Sequence, residues 1–198
     1  MGGVFLNTKN LRRLEIAGGA VVFLLASFLH FFYELTDGAV VGALFGAVNE
    51  SLWEHIKIFS IAYLAWAIVE LLWARPPFRE FISAKAAGLL ALWVGIALSF
   101  YIYTYFTGKP LLFVDLAIGI VFSVVSHFVS YRLTTSDKNK GQYFYTALMF
   151  LILAFIMILC MSYFPPKSYL FRDPVTGGYG VPPEALDAGA VFLDKTLG

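Results

Sequence analysis

Five apolar runs dominate this chain, at about residues 14–34, 51–73, 85–106, 111–133 and 142–164. A helix needs roughly 20 apolar residues to cross the hydrocarbon of a bilayer. No water is available there, so every backbone group must be bonded within the segment. Runs of this length predict an all-α, polytopic membrane bundle of five transmembrane helices. The composition agrees: 60% of the residues are hydrophobic and 14% are charged, against about 45–50% and 25% in soluble domains. The net charge of +1 offers no electrostatic footprint for nucleic acid. A single cysteine, Cys160, excludes an intramolecular disulfide and a cysteine zinc cage. The first run exceeds the roughly 7–15 apolar residues of a signal peptide and reads as an uncleaved span.

Breakers and charges organise the rest. Pro76-Pro77 stop the second run, Gly108-Lys109-Pro110 make a tight turn after the third, and Pro165-Pro166 end the fifth. Lys9, Arg12 and Arg13 precede the first span. Arg75, Arg79 and Lys85 lie between the second and third, and Arg132, Lys138 and Lys140 between the fourth and fifth. In a five-span chain these share one side, which the positive-inside rule makes cytoplasmic. The reading is N-in and C-out in a cell membrane. It has a transmembrane domain over 1–164 and an extracytoplasmic Pro/Gly-rich tail over 165–198. Arg172 to Gly180 reads as consecutive turns, and Pro183 can open a short helix to about 194.

This topology gathers unusual polar groups at one depth. His30 and Glu34 end the first span on one helical face. Asn49-Glu50-Ser51-Leu52-Trp53-Glu54-His55-Ile56-Lys57 opens the second. Asp115 lies about one turn into the fourth. Ionisable groups in so apolar a chain are functional candidates. Ser51, Glu54 and His55 share a face, and Ser51-x-x-Glu54 reads as a capping box. Trp53 reads as an interfacial belt residue. His30, Glu34, Glu54, His55 and Asp115 form a candidate metal-ligand set, for which zinc is a suitable divalent ion. Without metal, Glu54, His55 and His30 are the candidate catalytic acid–base groups. Glu34 and Asp115 alternatively orient the histidines. Asn49, Glu50, Lys57, Arg172 and Tyr179 are candidate substrate contacts, with the tail as a lid that brings Arg172, Phe171 and Tyr179 toward His30 and His55.

The fourth run carries Asp115, Gly119, Ser123, Ser126, His127 and Ser130 at intervals of three or four. Small residues at this spacing let membrane helices approach closely. The sharper reading is a polar path with His127 as a relay.

The 49–57 segment, with His30-Phe31-Phe32-Tyr33-Glu34 upstream and Asp173-Pro174-Val175-Thr176-Gly177-Gly178-Tyr179-Gly180 in the tail, resembles an uncharacterised family of small bacterial and archaeal multi-pass membrane proteins. The resemblance implies a prokaryotic inner membrane and no particular mechanism. Three function classes stay open. The first is a small membrane enzyme, a hydrolase or group transferase acting on a lipid or lipid-linked substrate. The second is a transporter of a small solute or ion that uses the fourth-helix stripe. The third is a non-catalytic assembly protein. Membrane lipids are the expected surroundings in each.

Overall fold

A computed structural model describes residues 8–182. It is all-α: α1 (Thr8–His30), α2 (Phe32–Leu35), α3 (Val40–Phe45), α4 (Leu52–Ala74), α5 (Phe78–Thr107), α6 (Leu112–Thr134) and α7 (Phe144–Cys160), followed by a single 3-10 turn at Tyr169–Phe171. Four of these, α1, α4, α5 and α6, are long and apolar enough to cross a membrane. The fifth apolar helix, α7, has 17 residues, the lower end of the spanning range of about 17–25. The first span is shorter at its C-terminal end than the apolar run, because the chain turns at Phe31 and restarts as α2. Arg75 ends α4 with a φ of 47°, and the two prolines that follow cannot extend the helix. α5 closes on Gly108, which donates its N–H to the Thr104 carbonyl at 2.8 Å and, with a φ of 70°, turns the chain out of the helix. The helix expected after Pro183 lies outside the described residues.

α6 is built inside out. Its buried residues are Gly119, Ser123, Ser126, His127, Ser130 and Thr134, while Phe113, Val121, Val124 and Phe128 are exposed. A water-soluble helix buries its apolar stripe. A helix in lipid loses nothing by exposing Phe and Val and packs through its small residues.

The chain divides into two compact units whose boundaries fall inside α1, α4 and α7. One unit comprises residues up to Leu25 and Phe59–Ala154. In it α5 and α6 pack along each other. Trp66 Nε1 donates to the Leu14 carbonyl at 3.0 Å, and Trp93 Nε1 to Ser60 Oγ at 2.6 Å, tying α4 to α1 and to α5. The α5–α6 approach depends on Gly88: a Cβ there would stand 2.7 Å from the Ser126 carbonyl oxygen and collide with the Tyr63 hydroxyl. Backbone cannot yield as a side chain can. Gly88→Ala is therefore expected to destabilise by about 1–3 kcal/mol, read as a lower unfolding midpoint in detergent.

The other unit comprises Ala26–Ile58 and the chain from Phe155 onward. Ala43, Val48 and Val181 form its core, flanked by Tyr33 and Tyr163. The tail thus contributes Val181 to this core. Val181 N–H donates to the Ser162 carbonyl at 2.8 Å, and Asn49 Nδ2 to the Gly180 carbonyl at 2.9 Å. The Phe171 ring lies 5.1 Å from that of Trp53, centroid to centroid.

Candidate metal centre

α4 begins where the sequence places its cap, but by a different bonding scheme. Ser51 Oγ accepts from the Glu54 N–H at 3.4 Å, the forward half of a capping box. The return half is not made by Glu54. Ser51 N–H instead donates to Asn49 Oδ1 at 2.8 Å. This arrangement leaves the Glu54 carboxylate for another task and sets Glu50 at the entrance to the helix.

Three side chains converge there. His30 Nε2 and His55 Nε2 are 3.3 Å apart. Glu50 Oε2 lies 3.5 Å from the first and 3.7 Å from the second. A tetrahedral zinc with bonds of about 2.0–2.1 Å separates its ligand atoms by about 3.3–3.4 Å. The circle through these three atoms has a radius of about 2.0 Å, so an ion lifted slightly from their plane reaches all three at zinc bond length. His55 Nδ1 donates to the Ser51 carbonyl at 2.9 Å. That bond fixes the tautomer that leaves the Nε2 lone pair free, as a carbonyl behind the other ring nitrogen does for metal-bound imidazoles. The His30 imidazole beside Glu50 holds its carboxyl below the usual carboxylate range, against the opposing effect of half-burial. The side chains of His30, His55 and Glu50 are 26%, 30% and 49% exposed, so the cluster is reachable from outside.

Other candidate residues are placed elsewhere. Glu54 does not join the histidines. Neighbouring helix positions point about 100° apart, and Glu54 turns inward to Lys57, three residues on. Lys57 Nζ lies 2.6 Å from Glu54 Oε2, with the two side chains 0% and 1% exposed. Ser162 Oγ donates to Glu54 Oε1 at 2.7 Å, and Val48 N–H to Oε2 at 3.1 Å. Lys57 also donates to the Ala43 carbonyl at 2.9 Å and to Ser162 Oγ at 2.6 Å. Every donor of the ammonium is used, so this pair fastens the 43–48 segment and Ser162 to α4 and has nothing left for a substrate. Glu34 is exposed; its charge reaches His30, yet it is not among the ligand atoms gathered there. Asp115 lies in the other unit and accepts a hydrogen bond from the Tyr103 hydroxyl. Asn49 is committed to Ser51 and Gly180. Arg172 and Tyr179 pair with each other through an isolated antiparallel bridge, with Arg172 exposed. The tail therefore reaches Asn49 through the Gly180 carbonyl and Trp53 through the Phe171 ring, close in sequence to Glu50. Trp53 itself is buried at 3% exposure, which removes it from a lipid-facing belt.

The defining pattern of Family of unknown function (DUF6512) matches residues 5–181. The chain belongs to this family. The matched stretch takes in the three converging residues, the buried Glu54–Lys57 pair and the tail as far as Val181. No curated protein and no solved structure matches the chain.

Proposed function

We propose that this DUF6512 protein is a small metal-dependent membrane hydrolase whose centre is His30, Glu50 and His55. The observation that carries the reading is the triangle of 3.3, 3.5 and 3.7 Å made by two imidazole nitrogens and a carboxylate oxygen. Three protein ligands with an open fourth position are the arrangement of catalytic rather than structural zinc. Bound zinc brings the ionisation of its water close to neutral pH and polarises an ester or phosphoester oxygen. The chain's part is to fix the geometry. Ser51 orients His55, the turn at Phe31 presents His30, and the Asn49–Ser51 bond sets Glu50. Glu34, exposed and with its charge felt at His30, adds to the negative field that favours a cation there.

A lipid or lipid-linked substrate follows from the surroundings. The site closes the C-terminal end of α1 and opens α4, two helices fit to cross a membrane, so it sits at a span end within reach of headgroups. In this reading α7 is the fifth span, and the loop Lys and Arg distribution supports a centre on the outer side of a cell membrane.

The test is to incubate the purified protein, zinc-loaded in nanodiscs of prokaryotic lipid extract, and follow the lipids by mass spectrometry. Zinc-dependent release of a headgroup or acyl chain, lost in His55→Ala, is expected. Unaltered phospholipid, glycolipid and polyprenyl-phosphate pools with fully zinc-loaded protein would contradict hydrolysis.

A further inference from the structure

A second cluster of ionisable groups lies inside the other unit, on four helices that are each fit to cross a membrane. Glu15 comes from α1, Glu70 from α4, Lys85 from α5 and His127 from α6, and none is more than 4% exposed. One ligand atom from each of Glu15, Glu70 and His127 lies within 4.8 Å of the others. Lys85 Nζ donates to Glu15 Oε1 at 3.1 Å and pairs with Glu70 Oε2. Ser130 Oγ donates to Glu15 Oε1 at 2.8 Å. The Tyr63 ring completes the wall, with Lys85 Nζ 5.1 Å and the His127 ring 5.1 Å from its centroid.

Two things are left over. The first is charge: two carboxylates face one ammonium, an excess of one negative charge where an unpaired ion is very costly. The second is bonding. Glu15 Oε2, Glu70 Oε1 and His127 Nε2 are buried with no hydrogen-bond partner. His127 Nδ1 donates to the Ser123 carbonyl at 2.8 Å, so a neutral ring presents its Nε2 lone pair. Side chains that converge within 4.8 Å thus each carry an acceptor that no donor reaches. One proton supplies the missing donor and the missing charge together, whereas a divalent metal would leave the cluster at +1 beside Lys85.

We infer that Glu15, Glu70 and His127 form a proton-binding site within the membrane-crossing helices. The proton is held between the two carboxyls, with the neutral His127 ring beside them as a further acceptor. Two like carboxylates sharing one proton is the ordinary resolution of such an encounter, and ionisable groups in this position serve proton relays. The site is independent of the His30–Glu50–His55 centre and survives that centre's failure.

Infrared spectroscopy of the full-length protein, labelled with carbon-13 glutamate, tests it. At neutral pH the wild type is expected to show one protonated glutamate carboxyl band that shifts in deuterium oxide. Glu70→Gln, which mimics the protonated acid, should lose the band and unfold at or above the wild-type temperature. Lys85→Met should raise the band roughly twofold, because both carboxylates then need a proton. If either variant fails to fold, the labelled wild-type band still decides. Absence of that band at neutral pH would overturn the inference. So would a band present only when sodium is withheld, which would make this a sodium site.

Discussion

Replacing His55 with alanine is expected to abolish stoichiometric zinc binding, and Glu54→Gln to leave it intact. His55 supplies one corner of the ligand triangle, and its ring is held in place by the Ser51 carbonyl. Losing even an outer-shell partner costs about 10–100-fold in metal affinity, so losing a direct ligand should cost about 100-fold or more. His30→Ala and Glu50→Gln should act in the same direction. Glu54 is the informative contrast. It stands next to His55 in sequence, yet its carboxylate is occupied by Lys57, Ser162 and the Val48 N–H. Elemental analysis with a competing chelator separates the outcomes. Equal loss of zinc in Glu54→Gln and His55→Ala, with both variants folded, would put the ligand set elsewhere.

Lys57→Met is expected to destabilise strongly, by about 3–5 kcal/mol, the usual cost of removing one partner of a buried ion pair. The methionine fills similar space but leaves the Glu54 carboxylate buried with two neutral donors. It also releases the Ala43 carbonyl and Ser162 Oγ from the ammonium. The double variant Glu54→Gln/Lys57→Met should recover much of the loss, because it removes the stranded charge as well. Unfolding of the detergent-solubilised protein measures both. A Lys57→Met midpoint within about 0.5 kcal/mol of wild type, the range of ordinary surface changes, would show that the pair does not anchor α4 in this way.

Helix positions were largely legible because apolar length and proline are direct physical signals. The runs near 51–73 and 111–133 became α4 (Leu52–Ala74) and α6 (Leu112–Thr134). The small-residue stripe on α6 became its buried face. The convergence of His30, Glu50 and His55 was only partly legible. His30 and His55 stand out as histidines at the ends of apolar runs. Choosing between Glu50 and Glu54 depends on the path of the chain through Asn49 and Ser51, since Glu50 precedes the helix and has no helical phase to read. Lys57 decides the matter from the other side: a buried ammonium takes the carboxylate three residues before it. The buried cluster did have a signal. Glu15 and Glu70 are acids inside predicted spans, but Lys85 reads as a loop cation because the third apolar run begins there, and α5 starts earlier, at Phe78. Only the fold shows that Lys85 lies within a helix, facing both acids.

The most direct measurement is zinc-edge X-ray absorption on the purified wild-type protein after one equivalent of zinc. A four-coordinate ion is expected, with two imidazole nitrogens, one carboxylate oxygen and one further light atom at about 2.0–2.1 Å. A protein that retains no zinc after desalting, or a zinc shell with fewer than two imidazoles, would contradict a centre built from His30, Glu50 and His55.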